Sequence, residues 1–381
     1  MKRTTAAALT LAGALLGGCK SVPLAADPLS PSRSVARRQL FSVDWWLPLV
    51  EQFKLLELAP REPAQPALDA ATGNVILVTR DGYVRAVGED GTLRWSHKAG
   101  GYFNAGATVQ DGRVYVPGGD GTLYALDAAK GTELWRYATG EELASPPVIV
   151  EGKVLVASVS DAVYAVESAT GKWLWQYRRE TPSGFTIRGV SMPAVEGTTA
   201  YLGFADGVVV ALDVQDGTAR WERQVSRLGG AFPDVDTTPV LSEGRLYVAS
   251  YKDGLFALEK ATGRVIWNTP TRGITHLVAR GPVLYASGDS QVGAYLAESG
   301  QQTWSVPLPK AVGRQATLFQ DMLVVPVQES LLFVDLGTGA VVTRWDPGQG
   351  VTAAPLALPG RLVVLSNLGY VYGLALGGDQ G

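Results

Sequence analysis

A unit of about forty residues, repeated along most of the chain, constrains this sequence more than anything else in it. Asp120-Gly121-Thr-Leu-Tyr-Ala-Leu-Asp-Ala-Ala-Lys-Gly131-Thr-Glu-Leu-Trp135 returns as Asp253-Gly254-Leu-Phe-Ala-Leu-Glu-Lys-Ala-Thr-Gly263-Arg-Val-Ile-Trp267. Asp81-Gly82 with Gly91 and Trp95 is a further copy, and so is Asp206-Gly207 with Gly217 and Trp221. Weaker copies run from Asp161 to Trp175, Asp289 to Trp304 and Glu329 to Trp345. The repeat tryptophans at 95, 135, 175, 221, 267, 304 and 345 are spaced by 40, 40, 46, 46, 37 and 41 residues. A period of that length cannot bury its apolar side chains alone, so the units must pack on one another.

Each unit reads as strands. Arg113-Val-Tyr-Val is apolar and β-branched, and Asp-Gly then supplies the positive φ angles of a tight turn. Thr-Leu-Tyr-Ala-Leu alternates, a Thr-Gly or Lys-Gly turn follows, and a last strand carries the tryptophan. A preceding segment such as Pro146-Pro147-Val148-Ile149-Val150 completes four strands. Four antiparallel strands at this period describe one blade of a β-propeller. Glycine fits the same picture: 45 of 381 residues is about 12%, against roughly 7% in average usage, and tight turns require it where helices resist it. Asn367-Leu-Gly369-Tyr-Val-Tyr-Gly-Leu-Ala-Leu376 is an eighth copy of the first half of the motif. Leu40-Phe-Ser-Val-Asp-Trp45-Trp46 looks like its missing outer strand, which predicts an eight-bladed propeller closed by an N-terminal strand. Trp45, Trp95, Trp135, Trp175, Trp221, Trp267, Trp304 and Trp345 are then expected in the seams between blades. A short helix over Glu51 to Leu58 is the one expected exception to the all-β pattern.

The N-terminus indicates a compartment. Lys2 and Arg3 precede an uncharged run from Thr4 to Leu16, the length of a signal h-region and too short to span a bilayer. Leu16-Gly17-Gly18-Cys19 resembles the bacterial lipobox, whose cysteine is acylated and becomes the first mature residue. Cys19 is the only cysteine in the chain, and Lys20 follows it where an aspartate resembles an inner-membrane retention signal. The expected organisation is a signal peptide over 1–18, a lipidated cysteine and flexible tether over 19–38, a propeller over 39–376 and a tail over 377–381. Such a protein is expected on the outer membrane, lipid-anchored, with its propeller facing the periplasm. The formal net charge of −3 becomes −5 once Lys2 and Arg3 depart, so no basic excess exists to attract nucleic acid.

Catalytic patterns are absent from the sequence. The two histidines, His97 and His276, stand outside any zinc-binding spacing. Glycine strings such as Gly118-Gly119-Asp120-Gly121 fall at hairpin turns and not at the strand-to-helix turns that cradle phosphates. The repeat, with its Ala-Leu-Asp, Thr-Gly and Trp, resembles the PQQ-type propeller family. Some members of that family are quinoprotein alcohol dehydrogenases, which resemble one another in a pair of adjacent cysteines, an aspartate base and carboxylate and amide calcium ligands. The single Cys19 leaves no such pair here, and no cofactor or metal is expected.

Function is expected where the period is disturbed. Trp135 stands twelve residues before Pro147, whereas Trp175 and Trp221 stand eighteen before Pro193 and Pro239. Both insertions lengthen the link from one blade's outer strand to the next blade's inner strand, so two long connectors should emerge side by side on one face. The first contains Ser183-Gly-Phe185-Thr-Ile187-Arg188-Gly189, and the second contains Phe232-Pro-Asp234-Val-Asp236-Thr-Thr-Pro239. Apolar residues beside an arginine suit an interface hot spot. From the residues alone, a bracing pair between Arg188 and Asp234 or Asp236, with Phe185 packed over the rim, explains them somewhat better. Ile187-Arg188-Gly189 before Ser191-Met-Pro193, and Asp234-Val-Asp236-Thr-Thr-Pro239, resemble the connectors of the BamB family. These are the propeller lipoproteins of the outer-membrane β-barrel assembly (BAM) machinery. The lipobox, tether, repeats and closing strand extend the resemblance over nearly the whole chain, although the stretch from Glu51 to Pro66 departs from it. The resemblance implies that Arg188, Ile187, Asp234 and Asp236, with Phe185 as a weaker match, contact the periplasmic POTRA domains of BamA. It also implies a non-catalytic scaffold that assists insertion of barrel proteins, with other BAM components and nascent barrel proteins as further partners. Two alternatives remain open on the sequence: a periplasmic quinoprotein-like enzyme, and an adaptor for another envelope complex.

Overall fold

The computed structural model describes residues 41–49, 61–180, 190–226, 233–308, 314–327 and 330–377. They form eight four-stranded antiparallel sheets, the blades of a propeller. In blade 3 the strands Val148–Val150, Lys153–Ala157, Ala162–Glu167 and Trp173–Arg178 pair in chain order, from the channel outward. Blades 1 to 7 follow that plan over residues 67–98, 108–138, 148–178, 194–224, 240–269, 274–307 and 317–345. Blade 8 takes three strands from 356–376 and its outer strand, Phe41–Pro48, from the other end of the chain. That strand pairs with Tyr370–Leu376 from Phe41 opposite Leu376 to Pro48 opposite Tyr370. The predicted ring closure is therefore present. The helix expected over Glu51 to Leu58 lies outside the described residues.

Burial explains the composition of the strands. The two middle strands of each blade are covered on both faces by neighbouring blades, so they read as nearly continuous apolar runs. Leu155, Val163 and Ala165 of blade 3 pack against Leu202, Val210 and Leu212 of blade 4, all at most 1% exposed. Burying each such Leu or Val stabilises the fold by about 1.5–3 kcal/mol. Outer strands such as Glu133–Ala138 alternate instead, since one of their faces meets water.

The tryptophans mark the seams through one recurring contact. The Trp135 ring lies on Gly171 of the next blade, where an added Cβ would come within 2.5 Å of it, and its Nε1 donates to the Ser168 carbonyl at 3.1 Å. Trp95, Trp175, Trp221, Trp267 and Trp304 repeat this on Gly131, Gly217, Gly263, Gly300 and Gly339, each with an indole hydrogen bond to the same blade as its glycine. Each of these glycines also has a positive φ, so the turn and the seam both require the missing side chain. In these six blades the tryptophan stands opposite an alanine of the third strand, just before a bulge. The closing strand copies the arrangement: Trp45 stands opposite Gly373 beside a bulge, and its ring covers Gly91 of blade 1.

Trp345 also lies in a seam, packed in the cluster that joins blades 7 and 8, but it does not make the recurring contact. The bulge-side position of blade 7 is held by Thr343, opposite Phe333, and Trp345 stands two residues further along, opposite Leu331. Its ring meets Tyr372 edge-on, with centroids 5.2 Å apart. The topology gives the reason: blade 8 receives its outer strand from Phe41–Pro48, so it has no third-to-fourth-strand turn for an indole to cover. A correction concerns the turns. Both residues have positive φ at Asp111-Gly112, Glu151-Gly152 and Glu243-Gly244, between first and second strands. At Asp120-Gly121 only the glycine does, and the aspartate accepts the Thr122 N–H instead.

Candidate functional site

The links between blades and the turns between second and third strands share one face of the ring. Main-chain bonds join them, such as Val235 N–H to the Phe204 carbonyl at 3.1 Å and Leu143 N–H to the Gly118 carbonyl at 3.2 Å. The two lengthened connectors leave the outer strands Trp173–Arg178 and Ala219–Gln224 and enter the inner strands Ala194–Glu196 and Val240–Ser242. Phe185, Ile187 and Arg188 lie outside the described residues, as does Cys19. The ends of both connectors are described, and they show what holds each in place.

The first connector begins on two clamped arginines. Arg178 reaches back to Glu141 and to the Tyr164 hydroxyl. Arg179 reaches forward to Asp206 at 2.8 Å and Glu222 at 2.7 Å, and donates to the Tyr177 hydroxyl at 3.1 Å. Burial works against the Arg179 charge, but these acceptors outweigh it and hold its pKa above the ordinary arginine range. Burial, reinforced by the hydrogen bond to Glu222, pushes Tyr177 up to about 12, so the hydroxyl stays a donor at any physiological pH. The far end of this connector is latched by Ser191, 4% exposed, which accepts the Gly203 N–H at 3.2 Å and donates to the Thr237 carbonyl at 3.1 Å.

That last bond ties the first connector directly to the second. Thr237 repeats the latch one blade on, accepting the Ala249 N–H at 2.9 Å, and Ser145 does the same for Ala157 at 3.0 Å. The sequence carried this signal as a hydroxyl two residues before a proline, in Ser145-Pro-Pro147, Ser191-Met-Pro193 and Thr237-Thr-Pro239, but the reading of the connectors passed over its structural role. The clamping arginines were missed as well, since only the fold brings residues so far apart in sequence together. The second connector threads between blades: Val235 is fully buried, and a Cβ on Gly203 would meet its carbonyl oxygen at 2.0 Å. Only glycine permits that approach.

The aspartates differ from each other. Asp234 is 1% exposed, so it belongs to the wall and not to an exposed acidic feature, whereas Asp236 is half-buried. Both line the central channel, a cavity of about 1050 Å³ that receives residues from every blade-to-blade link. Glu142, in the link between blades 2 and 3, also lines it and accepts from the Asn104 amide at 2.6 Å. Tyr251, His276, Asp289 and Arg314 line it as well, and the Tyr251 N–H donates to the Asp234 carbonyl at 3.2 Å. Among the described residues, no three carboxylate, imidazole or thiol groups converge as a metal site. His97 lies on the outer strand Leu93–Lys98, 3.9 Å from a Glu133 carboxylate oxygen.

Comparison with known proteins agrees with this architecture. The family model described as "Outer membrane protein assembly factor BamB" matches residues 80–291. The assembly factor of that name from Escherichia coli K12 is 32% identical over 81% of this chain and 83% of its own length. The crystal structure of BamB from Moraxella catarrhalis superposes with a TM-score of 0.77 at 22% identity, covering 88% of this chain and all of that one. A quinohemoprotein alcohol dehydrogenase from Comamonas testosteroni shares the fold, with a TM-score of 0.69 at 15% identity over 91% of this chain and 78% of its own. The eight-bladed ring, the closing strand and the extent of these matches place the chain in the BamB family of outer-membrane protein assembly factors.

Proposed function

We propose that this chain is a non-catalytic scaffold of the BAM machinery, held at the outer membrane by a lipid on Cys19 with its propeller in the periplasm. Its two long connectors dock on the POTRA domains of BamA and help deliver or hold barrel proteins during insertion. The observation that carries this reading is the bond from Ser191 to the Thr237 carbonyl, which binds the two lengthened connectors into one unit. Pre-organised loops lose less entropy on binding, which favours a docking role over that of a passive link. In this reading Arg188 makes charge-assisted contacts to the partner, while Ile187 and Phe185 bury apolar area. Asp236 shares the contact, and the buried Asp234 shapes the loop from beneath.

The test is Arg188→Glu. It abolishes co-purification with BamA while leaving the thermal melt unchanged, a loss of about 2 kcal/mol or more being typical of a hot-spot arginine. A folded variant that still co-purifies removes Arg188 from the site. Replacing residues 1–19 with a cleavable secretory signal that lacks a lipobox, in turn, moves the protein from the membrane to the soluble periplasmic fraction if the anchor is as proposed. Retention in the membrane fraction contradicts it.

A further inference from the structure

Six of the seams carry an indole hydrogen bond that the two seams of blade 8 lack. The turn between third and fourth strands explains where the bond forms. In blade 2 this turn has five residues, Asp127 to Gly131. The Gly131 N–H donates to the first carbonyl of the turn, Asp127, at 2.8 Å, which leaves the second, Ala128, to accept the Trp95 indole at 2.9 Å. The same pair of bonds recurs at Gly171, Gly217, Gly263, Gly300 and Gly339. In blade 1 the turn Gly88-Glu89-Asp90-Gly91 is one residue shorter. Its Gly88 carbonyl takes the Gly91 N–H at 3.0 Å, and its Glu89 carbonyl takes Arg361 at 3.1 Å. The Trp45 Nε1, buried in this seam, is left without a hydrogen-bond partner. On the other side of blade 8, Trp345 meets Tyr372 edge-on and makes no indole hydrogen bond among the described residues.

Leaving a buried donor without an acceptor destabilises a fold. Arg361 does not stand in for the missing bond. Across the seam of blades 5 and 6, Arg245 reaches the Ala297 and Glu298 carbonyls of the corresponding turn, and Trp267 bonds there as well. The ion pair of Arg361 with Asp44, at 2.8 Å, is partly exposed and adds little. Both seams of blade 8 also depend on one strand: Phe41 packs on Phe333 of blade 7 with ring centroids 4.4 Å apart, and Trp45 covers Gly91 of blade 1. We propose that the ring opens at blade 8, where the closing strand Phe41–Pro48 comes away as a unit while blades 1 to 7 keep their structure. Folded proteins open in such cooperative pieces, and the piece with the fewest stabilising contacts opens first. The open form keeps seven four-stranded blades and leaves one unpaired edge, along Tyr370–Leu376. The tether expected over 19–38 enters the fold at this strand, so a pull on the proposed anchor loads the blade that has no indole bond on either side.

The experiment is native-state hydrogen exchange on the full chain, read by mass spectrometry and corrected for intrinsic rates. Amides of Phe41–Pro48 and Tyr370–Leu376 exchange together, about tenfold or more faster than those of the corresponding blade 3 strands, Trp173–Arg178 and Ala162–Glu167. Protection equal to that of blade 3 overturns the proposal, and so does exchange that only fades inward from Phe41, which is fraying of a chain end. Replacing Gly88 to Gly91 with a copy of Asp127 to Gly131 supplies the missing carbonyl, and since Thr92 and Thr132 follow the two turns alike, the strand register is kept. This graft slows exchange over 41–48 by about tenfold, the effect of one buried hydrogen bond. An unchanged rate in the folded graft overturns the proposal. Trp135→Phe, which removes the bond between blades 2 and 3, speeds exchange in those blades and leaves 41–48 as it was. Equal acceleration over 41–48 means that the ring unfolds as one body, and this too overturns it.

Discussion

Glu62 offers a direct measure of how tightly the ring is closed. It is 1% exposed at the junction of blades 8 and 1, where its N–H donates to Asn367 Oδ1 at 3.3 Å and its carboxylate accepts the Arg80 N–H at 3.0 Å. Burial lifts its pKa from 4.5 to about 7; the Arg80 N–H opposes the rise, and the charge of Asp81 adds to it. A carboxyl whose pKa is higher folded than unfolded binds more protons when folded, so its contribution to stability is complete below pH 4.5. That contribution is lost as the pH rises through about 7. The difference of about 2.5 units corresponds to roughly 3 kcal/mol at 1.36 kcal/mol per unit. Glu62→Gln keeps an acceptor oxygen for the Arg80 N–H and removes the titration. Chemical denaturation of both proteins from pH 5 to pH 8 should therefore show near equality at pH 5 and the variant ahead by roughly 2–3 kcal/mol at pH 8. A difference that does not change with pH, or a variant less stable at pH 8, refutes the reasoning and means that the junction is open to water.

Three further outcomes follow from the seams and latches. Gly171→Ala forces a Cβ against the Trp135 ring at a φ of 74° and should cost roughly 2–4 kcal/mol in a melt, whereas Gly152→Ala, at a φ of 73° with nothing near it, should cost only about 1–2 kcal/mol. Trp135→Phe should destabilise more than Trp345→Phe by about 1 kcal/mol, since only Trp135 donates its indole N–H across a seam. Equal costs would mean that the indole hydrogen bond adds nothing to the seam. Ser191→Ala leaves the buried Gly203 N–H without its acceptor, which should cost about 1–3 kcal/mol in stability and weaken co-purification with BamA, while Ser191→Thr restores both.

The architecture was legible because the repeat speaks through chemistry that only one geometry satisfies. A turn glycine followed four residues later by tryptophan is what a seam requires, and the closing strand announced itself by Trp45. The different contact of Trp345 was hidden because it follows Gly339 by six residues instead of four, and spacing between successive tryptophans conceals an offset of two. The long connectors were visible as disturbances of the period, but what fixes them was not. Arg179 meets Asp206 and Glu222 across two blades, and Ser191 meets Thr237 forty-six residues away. Such contacts have no local signature. The burial of Asp234 was hidden for the same reason, since an Asp-Val-Asp segment alternates whether it lies on a surface or threads between blades.

The most direct test of the docking account places a photocrosslinking residue at position 188, on the connector face, and in a separate protein at Glu243, in a turn at the opposite end of the strands. The account predicts that position 188 captures BamA in cells and that position 243 does not. Capture from 243 alone, or equally from both, contradicts it.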